Sequence, residues 1–113
     1  MAEKVFLTVA GISGFLAVGL GAYGAHKFKP ATSDAYLKSV FETANRYHFI
    51  HTLAMLAVPQ ASRPLLAGSL MTTGILLFSG SCYLLSLTGH RSLGRVTPFG
   101  GLCLMAAWLA MAL

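Results

Sequence analysis

LLAGSLMTTGILLFSGSCYLLSL, Leu65 to Leu87, runs for 23 residues without a charge. As a helix it reaches roughly 34 Å, and the hydrocarbon core of a bilayer is about 30 Å thick. Working outward, Val5 to Ala25 is a second uncharged run of 21, and Thr97 to Leu113 a third of 17. The 113-residue chain is 56% hydrophobic and only 10% charged. Soluble domains carry about 25% charged residues, so a water-facing monomer is excluded. The pattern predicts an all-α integral membrane protein, a four-helix bundle forming one domain over residues 1–113. Its spans are expected at about 5–25, 34–58, 65–87 and 97–113.

Eight Lys and Arg against three Asp and Glu give a net charge of +5. A basic excess usually suggests nucleic acid. Here the cations sit between apolar spans, where they read as topology signals and headgroup contacts. Four spans place both termini on one side, with Lys4 and Arg63. Lys27, Lys29, Lys38, Arg91 and Arg95 fall on the other. The positive-inside rule puts loops one and three in the cytoplasm or the mitochondrial matrix. Cys82 and Cys103 fall inside spans and read as small buried hydrophobes, not as a disulfide framework.

Span one is rich in small residues. Gly14, Ala17, Gly21 and Ala25 are expected to let a second helix approach closely. A cleaved secretory signal is the competing reading, with Ala22 and Gly24 near a cleavage site. Against it stand a run longer than the usual h-region and a single Lys4 beside Glu3. Thr32 or Ser33 is expected to cap the second helix, with Asp34 in its first turn. From Asp34 to Val58 there is no Gly or Pro, and Pro59 should end the helix. Its first half is amphipathic and its second half apolar, so it is only marginally transmembrane and needs shielding by its neighbours. Gly89 is expected to close span three, and Thr97 to cap span four with Pro98 at the first position.

The second helix carries the candidate site. Lys38, Glu42, Asn45 and Arg46 share a face, continued by His48 and Thr52, with His51 three residues from His48. Ionisable groups within a span are functional candidates by default. Glu42, Asn45 and Arg46 read as a structural polar network, with Glu42 and Arg46 paired at i, i+4. A quinone, lipid or other redox cofactor would use His26, Tyr47, His48 and His51, since quinone carbonyls need His or Tyr donors beside apolar walls. Zinc wants three or four ligands, and carboxylate-bridged di-iron needs Glu-x-x-His pairs. Glu42 has Asn45 three residues on, and no other span holds a deep His for haem. No metal or resident cofactor is therefore expected. Ser79 to Cys82 lacks the setting of a nucleophile elbow and reads as a helix contact. Tyr83 and Trp108 read as ordinary span or interface aromatics.

Four blocks then come together in order: GAYGAH (Gly21–His26), ETANRYHFIHTLA (Glu42–Ala54), LFSGSCYLLSLTG (Leu77–Gly89) and TPFGG with AWLA (Thr97–Ala110). With these the chain resembles, over nearly its whole length, the transmembrane protein 256 family, also called domain of unknown function 423. The resemblance implies a small multi-pass protein of bacterial inner membranes or, in animals, of mitochondria. It implies no reaction, ligand or catalytic residue. The expectation is a non-enzymatic accessory or assembly component, with the bilayer and other membrane proteins or its own copies as partners. The redox or ligand-binding module is the alternative. A small transporter is weakest, because no broken half-helices or inverted repeat are visible.

Overall fold

Backbone groups that meet lipid must be bonded along their own helix. In the computed structural model, which describes residues 2–28 and 34–113, nearly every described residue is helical. Four helices follow one another: α1 (Ala2–Lys27), α2 (Ala35–Met55), α3 (Pro64–Thr88) and α4 (Thr97–Ala112). Short 3₁₀ turns, Val58–Gln60 and Arg91–Arg95, lead into α3 and α4. The elements run up and down. α1 packs on α2, α2 on the C-terminal half of α3, and α4 along the N-terminal half of α3. The long dimension is 48 Å, close to the thickness of a bilayer with its headgroups, about 40–45 Å.

The helix ends have local causes. Thr32 and Ser33 lie outside the described residues; Asp34 itself caps α2, its carboxylate accepting from the Tyr36 and Leu37 amides at 2.8 and 3.2 Å. α2 stops at Met55, earlier than Val58, because Pro59 has no N–H and disfavours a helical residue before it. Gly89 closes α3 at φ +77°, its N–H on the Leu85 carbonyl. Thr97 is not a cap. Val96 holds that position, and the Thr97 hydroxyl is bonded instead to Ser81 Oγ at 2.6 Å.

α3 is not uniform. Ile75–Ser79 forms a π turn, in which the Gly80 N–H reaches back to the Ile75 carbonyl. The turn has a packing consequence. Ala67, Met71, Ile75, Ser79 and Tyr83 are all buried, each four residues after the last. In an uninterrupted α-helix such steps drift by about 40° each. A wider π turn removes part of that drift and keeps the row facing its neighbours.

Two apolar clusters hold the bundle. One, near the termini, gathers Phe6, Met55, Val58, Met71, Leu104 and neighbouring alanines. The other, near the basic loops, gathers Phe28, Phe41, Ala44, Cys82 and Tyr83. At three contacts glycine is required because an aromatic ring or a backbone fills the place of a Cβ: Gly24 under Phe41, Gly68 under Phe6, and Gly100 against the Leu77–Phe78 backbone.

The outside is apolar. Phe15, Leu65, Leu76, Phe99 and Leu109 are each at least 65% exposed, a display of large apolar side chains that soluble monomers rarely make. α1, α3 and the Arg91–Ala112 stretch are long and apolar enough to cross a membrane; α2 is not among them. Arg91 stacks over the Tyr36 ring at 4.3 Å, tying loop three to the start of α2 at the basic end.

Gly100→Val should lower stability by at least about 2 kcal/mol, because the obstructing atoms are backbone and cannot move aside. Gly80→Ala, where a Cβ meets open space, should leave it unchanged or slightly raised. Thermal unfolding in detergent, read by a thiol-reactive dye at Cys82 and Cys103, checks both.

Candidate functional site

The polar side chains of the bundle meet at its mid-depth, between the two apolar clusters. Ser13 stands near the middle of α1, Asn45, His48 and Thr52 on the inner face of α2, and Ser79 and Tyr83 on α3. Ser13 Oγ is 2.6 Å from Thr52 Oγ1 and 2.9 Å from His48 Nε2. His48 Nδ1 is 2.9 Å from the Tyr83 hydroxyl. The Asn45 amide donates to that hydroxyl at 3.0 Å and to the Ala17 carbonyl at 2.9 Å. Ser79 Oγ donates to the Ala44 carbonyl at 2.9 Å.

Counting donors orients the chain. Tyr83 already accepts from Asn45, so its own proton needs an acceptor, and His48 Nδ1 is the one in reach. That leaves the His48 proton on Nε2, donating to Ser13, whose hydroxyl then donates to Thr52. Each bond in this line then has one donor and one acceptor. Among the described residues no buried side-chain polar atom lacks a partner, as a low-dielectric interior demands.

His51 belongs to a different surface of α2. Its Nδ1 donates to the Tyr47 carbonyl at 2.7 Å, so Nε2 is the acceptor for the Trp108 indole N–H at 3.1 Å. Tyr47 stacks on the His51 ring and packs against Phe78, with Trp108 edge-on to His51. His48 therefore ties α2 to α1 and α3, and His51 ties α2 to α4.

The residues singled out from the sequence are thus distributed over three places. His48 and Asn45 join the central line. His51 and Tyr47 form the α4-side aromatic cluster. His26 is exposed at the end of α1. Glu42 and Arg46 are exposed on α2 and make no side-chain hydrogen bond or ion pair with another described residue. On α1, Ala17 is fully buried, Gly21 lies against Asn45 and Gly14 against Thr52, but Ala25 is exposed and Gly24 takes the contact with Phe41. Two steps of four overshoot the contact line by about 80°, whereas a step of seven from Ala17 nearly returns to it. Thr52, which continues the candidate face, joins the central line, and Ser13, Tyr83 and Trp108 are site residues that the sequence reading does not single out. The signal available for them was a hydroxyl or indole N–H inside an apolar run, which needs a partner.

A lateral slot of about 310 Å³ opens between α1 and α3, walled by Ile12, Leu16 and Leu76, with His48, Ser13 and Tyr83 at its floor. A second cleft, about 360 Å³, lies between α1 and α2 at the basic end and is bordered by Lys38, Glu42 and Asn45. Among the described residues no three His, Cys, Asp or Glu side chains converge as a metal ion requires.

Fold and surface together define a small all-α integral membrane protein. Residues 20–101 match the family described as "Protein of unknown function (DUF423)", and the chain belongs to that family. It is 42% identical to the UPF0382 membrane protein YwdK of Bacillus subtilis, over 94% of this chain and 91% of that one. It is 41% identical to the UPF0382 membrane protein C1782.12c of Schizosaccharomyces pombe, over 91% of this chain and 94% of that one. A UPF0382 membrane protein of Staphylococcus epidermidis is 38% identical over 97% of this chain and 93% of its own length. No solved structure matches.

Tyr83→Phe should reduce stability by about 1–2 kcal/mol, since it removes the hydroxyl that both Asn45 and His48 use. His48→Ala should add less on top of it than alone, a coupling of at least about 0.5 kcal/mol in a double-mutant cycle. Thermal unfolding of the four proteins in one detergent measures it.

Proposed function

We propose that this chain is a non-enzymatic assembly component of a membrane complex, built as one four-span domain. Both termini lie on one face of the membrane and the basic loops on the other. Bacterial members would occupy the inner membrane, with those loops in the cytoplasm. Eukaryotic members would occupy the mitochondrial inner membrane, with the loops in the matrix.

One observation carries this reading. α2 turns Glu42 and Arg46 outward, while the exposed middle stretches of the other helices are uncharged. Charges within a span nearly always face protein or water, not lipid. An outward pair at depth therefore favours cover by protein. The internal chemistry agrees: both ring nitrogens of His48 and of His51 are engaged by neighbouring side chains or backbone, and this is what a packing network needs.

A second reading follows from the slot above His48. An isoprenoid quinone or acyl chain fits its apolar walls, and a ring carbonyl would reach His48 only by displacing Ser13 or Tyr83. Solvent extraction of the purified protein would then yield a stoichiometric quinone or lipid.

Gentle solubilisation of native membranes, followed by native electrophoresis and mass spectrometry of each slice, tests the assembly role. The protein should migrate well above the detergent-bound mass of one 11.9 kDa chain. Migration as a monomer across mild detergents would overturn it.

A further inference from the structure

The outward face of α2 carries a stripe of exposed side chains. The exposed and half-exposed positions on it are Ser39, Thr43, Arg46, Ile50 and Leu53, with the exposed Glu42 at its edge. Their spacing alternates four and three, the interval at which two helices pack side by side with a left-handed crossing. Ile50 and Leu53 are 46% and 64% exposed. α1 and α3 pack elsewhere on α2 and leave this stripe uncovered.

Depth makes the charge on this stripe expensive. Arg46 follows Asn45, which is bonded to the Ala17 carbonyl. Ala17 lies ten residues before Lys27 at the end of α1, roughly 15 Å of helix. Arg46 thus leaves the chain well inside the apolar belt, and Glu42 one turn nearer the basic end. A partner must offer both signs at this depth.

The geometry points to a two-fold dimer in which Glu42 of each copy pairs with Arg46 of the other. The proposal rests on the assembly reading above and names its partner. Two copies with the same topology in one bilayer can be related only by an axis along the membrane normal, so the two α2 helices run parallel and equal positions meet. One acid and one base per copy then form a neutral quartet. The Arg46 side chains reach up toward the Glu42 level, and below them Ile50 and Leu53 of the two copies pack on each other. An isologous contact of this kind closes on itself, as most homo-oligomers do.

The test is made on the full chain in its native membrane. Ile50→Cys should oxidise to a dimer of doubled mass, whereas Leu109→Cys, on the far face of α4, should not. Glu42→Arg or Arg46→Glu, each added to Ile50→Cys, should cut the yield at least about fivefold. The exchange of both charges in one chain should restore it, which separates pairing from misfolding. A photoreactive residue at Ile50 distinguishes the failures. Adducts with a different polypeptide only would overturn the dimer and leave the assembly reading standing. Adducts with lipid only, together with no disulfide dimer, would overturn both. Charge reversals that leave the yield unchanged would overturn the Glu42–Arg46 pairing.

Discussion

A polar atom buried in lipid has no water to fall back on, and the placement of the helices follows from that constraint. Lipid tails are as apolar as leucine, so burying leucine between helices adds little drive to association. Direction must come from elsewhere. Here it comes from the Tyr83 hydroxyl, which accepts from Asn45 and donates to His48, and from the Ser13 hydroxyl on the other side of the imidazole. These bonds join α1, α2 and α3 at one level. Sliding α2 by a turn would orphan several buried groups at once, each worth roughly 1–3 kcal/mol. The apolar clusters on either side set how close the helices come; the polar line sets their register.

The π turn belongs to the same constraint. Ser79 lies at its end and donates to the Ala44 carbonyl, while Tyr83, one step of four later, joins the central line. The same turn sets the Leu77–Phe78 backbone against Gly100, so α4 lies nearly in contact with the main chain of α3. One local widening thus serves two interfaces.

Much of this was legible in the sequence. Uncharged runs longer than a bilayer is thick leave few alternatives to crossing helices, and Gly89 and Pro59 mark ends because their backbone chemistry is local. The site was legible only in outline. His48 and Asn45 stood out because they are polar on an otherwise apolar helix. Their partners on the other helices did not, since Ser13 and Tyr83 are ordinary members of apolar spans until a fold sets them opposite an imidazole. The reading of Lys38 to Thr52 as one face failed for a geometric reason. Glu42 and Arg46 lie about 60° and 100° from Asn45 on the same side of the wheel, enough to place Asn45 inside and both charges outside. The Ile75–Ser79 π turn has no reliable sequence signature.

The two core histidines bear on what chemistry such a protein can host. His51 must present Nε2 as an acceptor to Trp108 while Nδ1 donates to its own helix. His48 bridges two hydroxyls. A ligand that bonded either ring would have to displace a partner from another helix, and binding would be coupled to helix separation. The polar groups inside the bundle are committed to one another, whereas Glu42 and Arg46 are left facing outward. Where a membrane protein satisfies its interior so fully, its unspent electrostatic free energy lies on its surface, and recognition between proteins is the use that surface charge at depth fits best.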